Sequence, residues 1–151
     1  MATLREEFTS GDASLRIDVT GAGGEEHVLE EMSFLNYRLA SVQSRREIRK
    51  ADPDIIWDRE KKVKDIRYQG NQLLIDGQWE QGEMNKIIVT MLAFQMDRAG
   101  LHPFHSSAVR YKDKTILFLG GESNHGKSMG QIEGCRRGGK VISTETTVTD
   151  D

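Results

Sequence analysis

The chain has 151 residues, 36% of them hydrophobic, enough for one ordinary domain or two small lobes with a real core rather than a disordered chain. Charged residues make up 30% with a formal net charge of −3, so no global basic field recruits nucleic acid. The single cysteine, Cys135, excludes an internal disulfide and cannot alone form a zinc site, and no apolar run approaches the ~20 residues that span a bilayer. A cytoplasmic protein without nucleic-acid or membrane partners is expected, since MATLREEFTSGD also lacks the apolar core of a signal peptide.

Leu15, Ile17 and Val19 alternate with Arg16, Asp18 and Thr20, the period of a strand with one buried face, and GAGG at 21–24 ends it. Residues 28–39, VLEEMSFLNYRL, fit helix or strand. SRREIRKADPD at 44–54 is expected as a solvated connection stopped by Pro53. In IRYQGNQLLI, apolar segments flank Gly70 and Asn71, a hairpin signal. Residues 1–80 therefore form a small, mostly β lobe.

From Gln81 to Ala99, Met84, Ile87, Ile88, Met91, Leu92 and Met96 recur at helical spacing and Gly100 follows as a stop signal. The additional apolar residues Val89 and Phe94 predict burial on more than one side. SSAVRY and TILFL then predict two strands joined by the polar turn KDK, the second running straight into glycines.

Those glycines carry the most specific signal in the chain. Gly121, Gly126, Lys127 and Ser128 satisfy G-x-x-x-x-G-K-[ST], with an apolar strand before and a helix-compatible segment, SMGQIEGCRR, after. Glycines let the backbone curl so that successive N–H groups face phosphate oxygens, and the helix start adds partial positive charge. The whole loop is expected to contact the nucleotide: Gly121, Glu122, Ser123, Asn124, His125, Gly126, Lys127, Ser128 and Met129. Lys127 supplies a full charge to the β and γ phosphates, and Ser128 a hydroxyl to Mg2+, which prefers hard oxygen ligands. His125 is expected to face solvent, and His27 and His102 to be structural or surface residues, because a lone histidine lacks neighbouring metal ligands.

Around this loop, a helix, LHPFHSSAV, a short hairpin, GGESNHGKS, a short helix and RRGGKVIS resemble the amino-terminal half of the HPr kinase/phosphorylase core, a family related to ATP-dependent phosphoenolpyruvate carboxykinases. The resemblance covers about residues 85–150. It implies an α/β fold with α+β character, in which the amino-terminal lobe precedes an incomplete P-loop kinase core over residues 81–151. By resemblance, His105 lies near the reacting phosphate. The family's adjacent aspartates correspond to Thr144 and Glu145, which makes Glu145 the candidate base and metal ligand. The implied function is ATP- and Mg2+-dependent phosphoryl transfer to a serine or small-molecule hydroxyl, with Lys127, Glu145 and His105 as catalytic residues. The alternatives are a catalytically silent nucleotide-binding regulatory or assembly subunit, or an ATP-coupling subunit of a larger enzyme. Because the family core continues past the second carboxylate region, an open sheet edge is expected, completed by a second copy or a partner chain.

Overall fold

The alternation of Leu15, Ile17 and Val19 with polar neighbours is realised in a computed structural model that describes residues 3–23, 27–39, 41–46, 51–121 and 124–150. Strands β1 (Thr3–Ser10) and β2 (Ala13–Thr20) form an antiparallel hairpin, with Phe8 opposite Leu15 and Leu4 opposite Val19. The chain is a mixed α+β protein with two open sheets, and it divides into two compact units, residues 1–95 and 96–151.

In the first unit, β3 (Gln43–Arg46), β4 (Ile55–Asp58), β5 (Asp65–Gln69) and β6 (Gln72–Asp76) complete a six-stranded sheet in the order β3-β1-β2-β4-β6-β5. The β5–β6 hairpin turns at the predicted Gly70–Asn71. The centre of the sheet is parallel, because β4 pairs in parallel with both β2 and β6. Parallel neighbours require a crossover connection, here containing the short helix α1 (Ser33–Arg38) and β3 between β2 and β4. Phe8, Leu15, Ile17, Ile55 and Ile75 are buried and form the core of this unit.

The segment expected as a solvated connection begins instead as β3, paired with β1. The physical reason is charge: Glu7, only 2% exposed, accepts a hydrogen bond from Arg45 Nε at 2.7 Å and lies 3.4 Å from Arg16 Nε. Residues 47–50 of the same run lie outside the described residues.

Helix α2 (Gln81–Arg98) is the predicted helix. Met84, Ile88, Met91, Leu92 and Met96 are buried along one face, whereas Phe94 is 43% exposed, so burial on a second side is not what Phe94 signals. Side chains tie the helix to the first unit at both ends. Gln81 accepts from the Glu30 N–H at 3.1 Å, and Gln95 donates to Asp54 Oδ1 at 2.9 Å.

The second unit contains β7 (Leu101–Tyr111), β8 (Lys114–Leu119), α3 (Lys127–Arg136), β9 (Lys140–Ser143) and β10 (Thr146–Asp150). Strand β7 is central: β8 pairs antiparallel along one side, while β9 and β10 share the other, β10 along residues 101–105 and β9 along 108–110. Because β8 and β9 both run antiparallel to β7, they are parallel to each other, and α3 connects them. Pro103 sits in the half of β7 that pairs only with β10, where its missing N–H costs no second ladder bond. Among the described residues, the outer edges of β8, β9 and β10 have no strand partner.

Candidate phosphate-binding site

Strand β8 delivers the chain to Gly120, and α3 begins seven residues later, so the strand–loop–helix context that the loop motif requires is present. Gly126 caps the helix start in the left-handed region at φ +82°, preceded by Asn124 at φ +66°. Glycine enters that region without steric cost, and asparagine tolerates it better than most residues. The turn places Lys127 as the first helical residue, with its ammonium donating back across the loop to the Gly120 carbonyl at 3.3 Å. The Gly130 N–H bonds the Gly126 carbonyl at 2.8 Å, so the Ser128 and Met129 amides precede that first helical bond, in the turn where a helix leaves its N–H groups without partners of its own. No acidic side chain lies in this first turn. Ser128, Met129, His125 and Gly121 are exposed, whereas Glu122 and Ser123 lie outside the described residues.

The helix is seated unusually close to the sheet. A Cβ added at Gly130 would lie 2.6 Å from Phe118 of β8, and one at Gly134 would lie 2.9 Å from Val109 of β7. The helix ends in a Schellman motif, since Gly138 at φ +91° donates to the Cys135 carbonyl and Gly139 to the Gly134 carbonyl, both at 2.9 Å. The glycine pair in RRGGK thus turns the chain directly into β9.

Buried polar side chains hold the two ends of the site. Ser107, 1% exposed, donates its hydroxyl to the Lys127 carbonyl at 2.7 Å. Gln131, one helical turn after Lys127 and 9% exposed, donates to the Ser143 carbonyl at 2.6 Å. The Ser143 hydroxyl meets that of Thr147, which accepts from the Ser106 hydroxyl at 2.7 Å. This network frames the turn carrying Thr144 and Glu145, whose main chain is fixed further by the Ser106 N–H donating to the Glu145 carbonyl at 3.1 Å.

The structure brings two of the expected catalytic residues together. His105 Nε2 lies 3.3 Å from Glu145 Oε1, the imidazole about half exposed and the carboxylate largely covered. His105 lies within β7 rather than ahead of the first strand, and Glu145 lies in the β9–β10 turn, facing it across the register of Thr146 with His105. His102 pairs with Asp97, Nδ1 2.6 Å from Oδ1. Sequence reasoning did not single out Ser106, Ser107, Gln131, Ser143 or Thr147. The only signal was two adjacent serines, Ser106 and Ser107, directly before the apolar Ala108 and Val109.

Among the described residues, no group of three or more His, Cys, Asp or Glu side chains converges on a common point. Mg2+ with a nucleotide needs no such cage, because it keeps waters and phosphate oxygens and takes one or two protein oxygens. The Ser128 hydroxyl and the Glu145 carboxylate are donors of that kind. No protein-family model, characterised protein or solved structure matches the chain, so the chemistry of the site rests on its own residues.

Proposed function

We propose that the second unit is a nucleotide-binding P-loop module, resembling the HPr kinase core, that transfers the γ-phosphoryl group of ATP to a serine or small-molecule hydroxyl. The observation that carries this reading is the left-handed Gly126 cap, which sets Lys127 at the start of α3 with its ammonium folded over the loop. In this reading the loop amides and Lys127 neutralise charge on the β and γ phosphate oxygens. Mg2+, when bound, supplies further charge neutralisation, with Ser128 and Glu145 as its protein oxygens. As the acceptor oxygen bonds to the γ phosphorus and the bond to the leaving β-phosphate oxygen breaks, Glu145 takes the acceptor proton. His105, 3.3 Å from that carboxylate, orients it.

A second reading, a catalytically silent nucleotide-binding subunit or an ATP-coupling subunit, is favoured by Thr144 standing where the resembling family has an aspartate. Both readings allow a second copy or a partner chain to complete the sheet. The exposed Ile132, Val141 and Ile142 beside open strand edges support such an association. The two readings separate in a γ-phosphate transfer assay of the full chain with MgATP. The kinase reading expects ADP formation that is lost in Lys127→Ala, and lost in Glu145→Gln while nucleotide binding persists. Binding without turnover in the wild type supports the silent subunit.

A further inference from the structure

Helix α3 buries a glutamine where an amphipathic helix buries apolar residues. Among its residues, all of them described, Gln131 is the one that is buried, whereas Met129 and Ile132 nearby are more than half exposed. Fixing a long polar side chain costs rotamer entropy and desolvates its amide, so such burial needs partners that offset both. The partners here are main-chain carbonyls of two strands. Gln131 Nε2 donates to the Ser143 carbonyl of β9 at 2.6 Å and lies 3.5 Å from the Ala108 carbonyl of β7. Ala108 and Ser143 face each other in the β7–β9 ladder, and the register shifts directly beyond them, between Ala108 and Val109. The amide therefore reaches from α3 to the place where the two strands leave regular pairing.

Ser143 is the last residue of β9, and Glu145 follows it by two. The far side of that turn is tied to β7, because the Ser106 N–H donates to the Glu145 carbonyl at 3.1 Å. Gln131 supplies a tie to α3. A helix is stiff over a single turn, so the bond that holds Gln131 against Ser143 also sets the start of α3, with Ser128, relative to the Glu145 turn. The Ser128 and Glu145 side chains are the candidate oxygen donors to Mg2+, and they come from separate elements. Mg2+ demands near-octahedral geometry with oxygens at about 2.0–2.1 Å, so donors on two elements serve it only where those elements are already in place.

We infer that Gln131 is a positioning residue of the phosphate-binding site: it holds the Glu145 turn at its distance from the first turn of α3 and so sets how strongly Mg2+ promotes nucleotide binding. The inference rests on the nucleotide reading proposed above. Gln131 acts through Glu145, because its own amide is engaged by main-chain carbonyls. An apolar side chain of the same length would fill the same space and seat the helix. It would not hold Ser143.

The test is calorimetric titration of the full chain with a non-hydrolysable ATP analogue, with and without Mg2+. Gln131→Met keeps the length of the side chain and removes the donor. It should bind the analogue without Mg2+ as wild type does, since the loop amides and Lys127 remain, while the gain in affinity from Mg2+ falls by about fivefold, the worth of one ordinary hydrogen bond. A helix that had merely loosened would weaken binding in both conditions alike. Glu145→Gln should reduce the same gain, and the double variant should fall no further than Glu145→Gln alone, because a residue that acts through another is not additive with it. Thermal melts confirm that each variant is folded. Gln131→Asn, which keeps the amide but draws it back by one methylene, carries the test should Gln131→Met fail to fold. The inference is overturned, with nucleotide binding by the loop left standing, by a Mg2+ gain equal to that of wild type in the folded variant, by equal losses with and without Mg2+, by additive losses in the double variant, or by a wild type whose binding Mg2+ does not strengthen. No binding of the analogue by the folded wild type overturns the nucleotide reading and the inference with it.

Discussion

Ser107, buried in the middle of β7, donates its hydroxyl to the carbonyl of Lys127 at 2.7 Å. A strand residue thereby fixes Lys127, the first residue of α3. The Lys127 carbonyl can also accept from within the helix, so losing the serine strands no acceptor. Ser107→Ala is therefore expected to lower the unfolding free energy by about 1 kcal/mol, measured by urea denaturation, and to weaken nucleotide binding a few-fold through a loosened loop-to-helix junction. Unchanged values on both counts would show that the bond does not position Lys127.

The close seat of α3 gives its two inward glycines a steric role. Gly130→Ala and Gly134→Ala place a methyl 2.6 and 2.9 Å from Phe118 and Val109. The resulting overpacking costs about 1–3 kcal/mol, which exceeds the ~1 kcal/mol that alanine gains in helix propensity. Both substitutions should lower the melting temperature. Gly82→Ala in α2 meets nothing within 4 Å and should hold or raise it. Stabilisation by all three would contradict the packing described here.

Glu83 offers a pH-dependent contrast. The hydrogen bond from Lys64, then that from the Glu80 N–H at 2.9 Å, hold its carboxyl below the ordinary carboxylate value. The second bond is the reach-back of a capping residue at the start of α2. A carboxyl whose folded pKa is depressed stabilises the fold above its unfolded pKa, and that contribution fades as pH falls through the folded value. Wild type should accordingly melt above Glu83→Gln at neutral pH, with the gap closing on acidification. A gap that widens in acid would reverse the assignment. Because the group is solvent-exposed, screening keeps the effect small and salt-sensitive.

What the sequence made legible depended on how local the signal was. The alternation in β2, the helical spacing of α2, the Gly70–Asn71 turn and the loop with its flanking strand and helix each sit within a dozen or so residues, where periodicity and turn chemistry act. Strand β1 was hidden because Glu6 and Glu7 look like surface residues until Val28, His27, Arg45 and Arg16 are known to meet them. Strand β4 is four residues long, and its parallel partners β2 and β6 are distant in sequence or reached across a hairpin, so no local pattern announces it. Within the candidate site, the motif is what proposes Lys127 and Ser128. No motif points to Ser107 or Gln131, since a buried polar residue acquires its purpose from a tertiary partner.

The phosphate loop is tested most directly by calorimetric titration of the full chain with ATP in the presence and absence of Mg2+, alongside Lys127→Ala. The account predicts saturable binding that Mg2+ strengthens and that Lys127→Ala weakens by about tenfold or more, a loss of about 1.4 kcal/mol. No binding by the folded wild type, or equal binding by Lys127→Ala, would contradict it.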